Sequence, residues 1–166
     1  MIFVTVGTQA PFDRLVDTVD RWAGAHPDRP VFAQIGPAAT RPRHIGAQDF
    51  VSPAECRRRI RDAELVVAHA GMGTILSALE LGTPLLVVPR RAELGEQRND
   101  HQLATAHWLA ESGSVSVAFD ELELERRLDD LGRVGGGPRI SEFAPDAFIA
   151  ALSSFIAGDA PSITRS

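Results

Sequence analysis

The sequence predicts an α/β domain built on a Rossmann-like parallel sheet with helices on both faces. Short apolar runs typical of buried strands, at 2–6, 31–35, 65–69 and 85–89, alternate along the chain with amphipathic segments typical of helices. This alternation indicates a parallel sheet, because parallel strands need a crossover connection, usually a helix. With 166 residues, 44% of them hydrophobic, the chain can form one such domain with a sizeable core.

The first half of the chain predicts two long strands and two helices. The strand over 2–6 is followed by Pro11, which suits the first turn of a helix. The strand over 31–35 leads into a loop over 36–46, rich in Gly, Pro and Arg, and a short strand ends at Phe50–Val51. The run Ser52-Pro53-Ala54-Glu55 then fits a capping box with proline at the first helical position, so a helix begins there.

Two features of this helix bear on function. Cys56 is predicted to be a small buried hydrophobe rather than a nucleophile, because Val51 and Cys56 occupy the flanking positions of a hydrophobic staple. Four arginines make the helix basic, and we favour a solvated face over the alternative of an anionic lipid surface or acidic partner. They are Arg57, Arg58, Arg59 and Arg61.

The second half continues the alternation. We expect residues 1–158 to form one domain and 159–166 to be a disordered tail. The apolar stripe of the last helix, Phe148, Leu152, Phe155 and Ile156, suits either the domain's own sheet or a partner. The predicted elements are a helix over 74–81, a strand over 85–89, a helix from Asn99, which with Gln102 fits a capping box, to Gly113, a strand over 115–118, a helix capped by Asp120 and a tail helix from about Pro145.

The run LVVAHAGMGT, residues 65–74, joins a buried strand directly to a helix start. After His69, the residues Gly71 and Gly73 let backbone amides and the Thr74 hydroxyl approach an anion at the positive end of the helix. The run therefore predicts a phosphate site, although it has neither the Lys-Ser/Thr ending of a Walker loop nor the Gly-x-Gly-x-x-Gly spacing of a dinucleotide fingerprint. For His69 alone, a core histidine bonded to a backbone carbonyl is the alternative.

A second polar cluster follows the strand over 85–89 and the loop over 90–98. It consists of Asn99, Asp100, His101 and Gln102, at the point where a new helix begins. In open α/β sheets, ligands bind beyond the carboxyl ends of the strands. Both polar clusters are therefore expected to face one crevice.

Composition excludes several classes of protein. A net charge of −5 provides no basic field for nucleic acid. The single cysteine excludes an internal disulfide and fits a reducing compartment. No apolar run approaches the ~18 residues that span a membrane, and no His/Asp/Glu cluster has metal-ligand spacing. We expect a cytoplasmic protein with no metal, no other cofactor and no nucleic-acid partner.

Three segments of the chain, 2–16, 69–90 and 95–106, carry a resemblance to a known family. They read IFVTVGTQAPFDRLV, HAGMGTILSALELGTPLLVVPR and GEQRNDHQLATA. The sequence resembles the carboxyl-terminal, donor-binding half of the GT-B glycosyltransferases of family 28, over roughly residues 1–115. It is most similar to a short subfamily in which this half is a separate chain, as in the catalytic subunit of the dolichol-linked N-acetylglucosamine transferase and in bacterial exopolysaccharide glycosyltransferase subunits.

The resemblance implies which positions hold a nucleotide-sugar donor. Uracil would lie beside Phe50 and Val51, with the Val51 backbone reading its edge. The sugar hydroxyls would be bound by His101 and Gln102, with Asn99 and Asp100 in support. The diphosphate would bind through Gly7, Thr8, His69, Gly71, Gly73 and Thr74.

One position departs from the family pattern. Many relatives carry a glutamate on the helix after the glycine turn, where it accepts both ribose hydroxyls, and Ser77 occupies that position here. Serine reaches less far and offers one hydroxyl. Glu80 lies one turn further along the same face and is the alternative ribose ligand.

The resemblance implies a UDP-sugar-binding catalytic subunit, a hexosyltransferase, of a two-part inverting glycosyltransferase. Its acceptor would be a lipid-linked sugar or a polysaccharide precursor, and its catalytic base would sit in the other half of the enzyme. We expect that half to be a membrane-anchored partner that holds the chain at the inner face of the membrane. The alternatives are a non-enzymatic nucleotide-sugar-binding accessory subunit, a UDP-sugar epimerase, which needs two domains, and a receiver-like domain, whose acidic pocket is missing.

Overall fold

A computed structural model describes residues 1–37, 40–113 and 115–131. It contains one sheet of six parallel strands in the order β3-β2-β1-β4-β5-β6. The predicted parallel α/β sheet is therefore confirmed. The strands are β1 (Ile2–Thr5), β2 (Val31–Gln34), β3 (Gly46–Gln48), β4 (Leu65–His69), β5 (Leu85–Val88) and β6 (Ser116–Val117).

Helices cover both faces of the sheet. The two faces have separate cores: one contains the buried residues of α1 and α5, and the other contains those of α2, α3 and α4. Alternate residues of β1 supply each core, with Val4 on the first face and Phe3 on the second. The helices are α1 (Asp13–Ala25), α2 (Pro53–Asp62), α3 (Met72–Leu81), α4 (His101–Ser112) and α5 (Glu121–Asp129), with a 3₁₀ turn at Ala92–Leu94.

The strand order reverses direction between β1 and β4. These two strands pair in parallel, with Thr5 opposite Ala68, but the chain leaves their carboxyl ends in different directions. The turn after β1 enters α1 on one face, whereas the turn after β4 enters α3 on the other face. A crevice forms at such a switch point, and open α/β sheets bind their ligands there.

Several boundaries differ from the sequence prediction. Phe50 and Val51 lie outside the sheet because β3 ends at Gln48. Helix α3 begins at Met72, two residues early, because Gly71 already acts as its N-cap. The capping box at Ser52 is confirmed on the serine side, whose hydroxyl accepts a hydrogen bond from the Glu55 amide at 3.2 Å.

The predicted capping box of α4 is wrong. The helix begins at His101 with Asp100 as its N-cap residue, and the Asn99 side-chain oxygen accepts a hydrogen bond from the His101 amide at 3.4 Å. The side chain of Gln102 turns away and accepts a hydrogen bond from the backbone amide of Arg90 at 3.2 Å. Gln102 therefore ties the helix to the end of β5 instead of capping it.

The basic face of α2 is matched by carboxylates. Its ion pairs are Arg57 with Glu80, Arg58 and Arg59 with Glu55, and Arg61 with Asp62. This pairing neutralises the face locally and favours the solvated interpretation over a lipid-binding one. The predicted tail helix, its stripe at Phe148, Leu152, Phe155 and Ile156, and the tail over 159–166 lie outside the described residues.

Candidate functional site

A cleft of about 1120 Å³ opens at the switch point, beyond the carboxyl ends of β1, β4 and β5. It brings together most of the residues that the sequence analysis assigned to a donor site, although they come from four separate parts of the chain. The predicted residues that line it are Gly7, Thr8, Val51, His69, Gly71, Gly73, Thr74, Ser77, Asn99 and Gln102.

Four of the predicted site residues do not line this cleft. Phe50 is 53% exposed, and His101 is exposed at the start of α4. The Asp100 carboxylate accepts a hydrogen bond from the amide of Ala92 at 3.1 Å. Glu80 forms a two-pronged ion pair with Arg57, at 2.8 and 3.1 Å, and Arg57 rather than Glu80 faces the cleft.

The amino terminus of α3 opens into the cleft without a side-chain cap. The first intrahelical bond runs from the Ile75 amide to the Gly71 carbonyl at 3.2 Å, so the amides of Met72, Gly73 and Thr74 have no partner within the helix. A Cβ atom on Gly73 would meet nothing within 4 Å, so the space beside this residue is open. Amides and helix dipole together make this end of α3 a seat for an anion.

The imidazole of His69 is held between two glycines. A Cβ atom on Gly7 would lie 2.7 Å from the ring Cε1, and a Cβ atom on Gly71 would overlap the ring Nε2. Gly7 also has a φ of +78°, a left-handed conformation that favours glycine. From their positions in the sequence these glycines were expected to let an anion approach, and in the structure they also make room for the ring.

His69 is uncharged at neutral pH. Burial, followed by the nearby positive charge of Arg90, lowers the pKa of the imidazole to about 4, although the backbone of Thr5 acts in the opposite direction. Its Nδ1 atom is buried and has no hydrogen-bond partner among the described residues. The ring can therefore offer a ligand a hydrogen bond rather than a full positive charge.

Arg90 is a site residue that the sequence analysis placed in a loop. It is 3% exposed, and its guanidinium donates hydrogen bonds to the carbonyls of Val6 at 2.8 Å and Ala10 at 2.7 Å, and to that of Pro11. Burial lowers the pKa of Arg90, while the nearby Glu96 carboxylate counteracts the shift. The sequence did contain a signal for this role, because Arg90 directly follows a buried strand and a proline. A charged side chain at so buried a position needs several hydrogen-bond acceptors.

The loop that follows β5 is pinned by Glu96. Its carboxylate accepts two hydrogen bonds from Arg14, at 2.7 and 3.0 Å, and a third from the amide of Arg91 at 2.9 Å. The Glu96 carbonyl accepts a further bond from Arg90 at 3.3 Å. The segment that carries the second polar cluster is thus fixed to α1 and to the Arg90 guanidinium.

Gln34, at the end of β2, was also missed. It is buried, and its side-chain amide donates to the Gly7 carbonyl at 3.2 Å, while its side-chain oxygen accepts from the Val51 amide at 3.2 Å. The Val51 backbone was expected to read the edge of a base, and its amide is already bonded within the protein. Gln34 thus links Gly7, in the turn after β1, to Val51, which precedes α2.

Other candidate chemistry is limited. Burial raises the pKa of the half-buried Cys56 thiol, which agrees with the prediction that it is not a nucleophile. Within 1–37, 40–113 and 115–131, no group of three or more His, Cys, Asp or Glu side chains could hold a metal ion. In that same part of the chain, no helix has the length and apolar character needed to cross a bilayer.

The strand order, with a cleft at its switch point, defines a Rossmann-like α/β domain. The chain belongs to glycosyltransferase family 28: the model of the family's C-terminal domain matches residues 1–133. It is 32% identical over 125 residues to the human UDP-N-acetylglucosamine transferase subunit ALG13, and 29% identical over 116 residues to the zeaxanthin glucosyltransferase of Pseudescherichia vulneris. These alignments cover 69% and 61% of this chain, but only 10% and 28% of the relatives.

Solved structures agree on the fold. The NMR structure of ALG13 superposes with a TM-score of 0.60 at 22% identity, covering 94% of this chain and 96% of that one. The crystal structure of Acinetobacter baumannii MurG superposes with a TM-score of 0.57 at 18% identity, covering 90% and 48%. The domain has the architecture of the carboxyl-terminal half of a GT-B glycosyltransferase, as the sequence predicted.

Substitutions of Gly71 and Gly73, the two glycines between β4 and α3, should have different effects on stability. Gly71→Ala should destabilise the fold by about 1–3 kcal/mol, because the new methyl group overlaps the His69 ring. Gly73→Ala is the matched control, since its methyl group enters open space and alanine favours the helix by up to ~1 kcal/mol. Urea unfolding of both variants tests this, and equal effects on the free energy of unfolding would contradict it.

Acidification should cost stability through His69. Its folded pKa of about 4 lies below the ordinary value of 6.5, so the stabilisation is complete above pH 6.5 and is lost as the pH falls toward 4. Between pH 7 and pH 5 the free energy of unfolding of the native protein should fall by on the order of 2 kcal/mol more than that of His69→Gln, whose side chain does not titrate. Urea unfolding at both pH values measures the difference, and parallel losses in the two proteins would refute the assignment.

Proposed function

We propose that the cleft binds a UDP-sugar and that the chain is the donor-binding catalytic subunit of a hexosyltransferase. The observation that carries the proposal is the uncapped amino terminus of α3, which lies beside His69 and the Gly7 turn at the switch point of the sheet. The family assignment supports glycosyl transfer, and the name of the human relative, a UDP-N-acetylglucosamine transferase subunit, supports a UDP-linked donor.

The diphosphate of the donor would occupy the α3 seat. The amides of Met72, Gly73 and Thr74 and the Thr74 hydroxyl would donate hydrogen bonds to it, and the neutral His69 ring would add another. Negative charge grows on the diphosphate as the bond to the sugar breaks. Donors already fixed in place stabilise that charge without reorganisation, so the chemistry is proposed to need no cofactor.

The two ends of the cleft would hold the two ends of the donor. The nucleoside would lie toward Val51 and Ser77, and the sugar toward Asn99 and Gln102. The Ser77 hydroxyl currently donates to the Gly73 carbonyl at 2.8 Å, and the Arg57–Glu80 pair borders the same side of the cleft. We assign the ribose to this border, where Ser77 and Arg57 can both reach it.

The acceptor half is proposed to come from a partner. The family model that matches residues 1–133 describes a carboxyl-terminal domain, and the human relative is named as a subunit. We propose that a membrane-anchored partner binds a lipid-linked sugar or polysaccharide precursor, supplies the catalytic base and holds this chain at the cytoplasmic face of the membrane. Transfer with inversion follows if that base activates the acceptor hydroxyl opposite the leaving diphosphate.

Thr74→Val should weaken UDP binding by about 1–3 kcal/mol, because a charged acceptor loses a hydroxyl donor while the side-chain shape is kept. Thr40→Val is the control, since Thr40 is exposed and its hydroxyl bonds Asp17 outside the cleft. Titration calorimetry with UDP measures both. Failure of the native chain to bind UDP at millimolar concentration would refute the proposal, and unchanged affinity in Thr74→Val would place the phosphates elsewhere.

The purified chain should transfer little or no sugar by itself, and transfer to a lipid-linked acceptor should appear when the membrane-anchored partner is added. The assay follows labelled sugar from a panel of UDP-sugars into lipid. Robust transfer by the chain alone would contradict the two-part assignment. The same assay on the complex formed with Thr74→Val distinguishes a catalytic subunit from a non-enzymatic accessory subunit. A catalytic subunit should lose transfer activity in proportion to its loss of UDP affinity. An accessory subunit should leave transfer by its partner intact.

A further inference from the structure

The side chain of Gln34 connects two walls of the cleft that come from distant parts of the chain. Gln34 ends β2 and lines the cleft, yet it is only 4% exposed. Its side-chain NH₂ group donates to the Gly7 carbonyl at 3.2 Å, and its side-chain oxygen accepts from the Val51 amide at 3.2 Å. One residue therefore holds the turn after β1 on one side and the segment before α2 on the other.

The chemistry of the two partners fixes the orientation of this side chain. The Gly7 carbonyl can only accept and the Val51 amide can only donate, so the NH₂ group and the oxygen of Gln34 cannot exchange places. The NH₂ group also donates to the Thr5 hydroxyl at 3.4 Å, and that hydroxyl accepts from the Gly7 amide at 3.3 Å. A carboxylate could not donate to Gly7, and an aliphatic side chain could bond neither wall.

The side chain of Gln34 extends the contact between these segments past the backbone ladder. On the β1 side, the Gln34 carbonyl accepts from the Val6 amide at 3.1 Å, and Gly7 lies one residue beyond this bond. On the β3 side, the Asp49 carbonyl accepts a backbone bond at 2.9 Å, and Val51 lies two residues beyond it. Both walls are therefore tied to the end of β2 through the same side chain at the point where they reach the cleft.

We infer that Gln34 is a positioning residue, which aligns the two walls so that both ends of one nucleotide bind at the same time. This inference rests on the proposed function, in which the diphosphate binds beside the Gly7 turn and the nucleoside lies toward Val51. A ligand that contacts two walls gains affinity over its separate halves only when the walls are held at a matching spacing. Gln34 contributes to that gain, whereas each half of the ligand binds to its own wall.

The test compares UDP with its two fragments. NMR titration of the full chain gives the dissociation constants of UDP, uridine and inorganic pyrophosphate. Gln34→Met keeps the length of the side chain but bonds neither wall. It should weaken UDP binding about tenfold and leave the affinities for uridine and pyrophosphate within about twofold of the native values.

Two further variants make the result specific. Gln34→Asn keeps a polar amide that can bond one wall, but it is one methylene group shorter, and both native bonds are already 3.2 Å long. It should therefore show the same selective loss of UDP affinity. Gln48→Met is the matched control, because Gln48 lies opposite Gln34 in the sheet register and is exposed outside the cleft. Its three affinities should equal those of the native chain, and melting temperatures show whether each variant folds.

The three affinities separate this inference from the proposed function. If the native chain binds neither UDP nor either fragment, the proposed function fails and this inference fails with it. If UDP binds no more tightly than the better fragment, or if both Gln34 variants keep the native ratio of UDP to fragment affinity, the inference alone is overturned. A comparable fall in affinity for one fragment would instead assign Gln34 to direct contact with that half. A lower melting temperature with unchanged affinities, or failure of both variants to fold, would assign it to the fold alone.

Discussion

The cleft depends on the buried guanidinium of Arg90. The carbonyls of Val6, Ala10 and Pro11, in the turn after β1, converge on this one cation. Arg90 also lies 4.8 Å above the Phe12 ring, which covers it from the side of α1. A single side chain at the end of β5 thereby sets the path of the turn after β1, although some 80 residues separate them in sequence.

The charge of Arg90 shapes the site in a second way. It lies close enough to His69 to help keep the imidazole neutral, yet its own hydrogen bonds point into the protein rather than toward the cleft. An anion at the α3 terminus would therefore be bound mainly by backbone amides and hydroxyls, with positive charge held behind them. Such a seat is formed before the ligand arrives, which reduces the ordering cost of binding.

Most of the fold was readable from local patterns, and the site only in part. The strands of the sheet center are continuous apolar runs, so 2–6, 65–69 and 85–89 could be recognised without knowledge of their neighbours. Errors arose where a distant side chain decides the outcome. Gln34 bonds the Val51 amide outside the sheet, and Gln102 leaves a capping position to reach Arg90, and neither contact has a local signature.

The contact between His69 and its two glycines bears on how the family can diverge. Gly7 is constrained by its own positive φ, whatever residue stands at position 69. Gly71 has φ of −96° and ψ of 125°, a conformation open to any residue, so only the ring beside it demands glycine. Among related sequences, position 7 should accordingly resist change, whereas position 71 should be free to drift once a smaller side chain replaces the histidine. The histidine must be replaced before Gly71, because a Cβ atom at position 71 would overlap the imidazole ring.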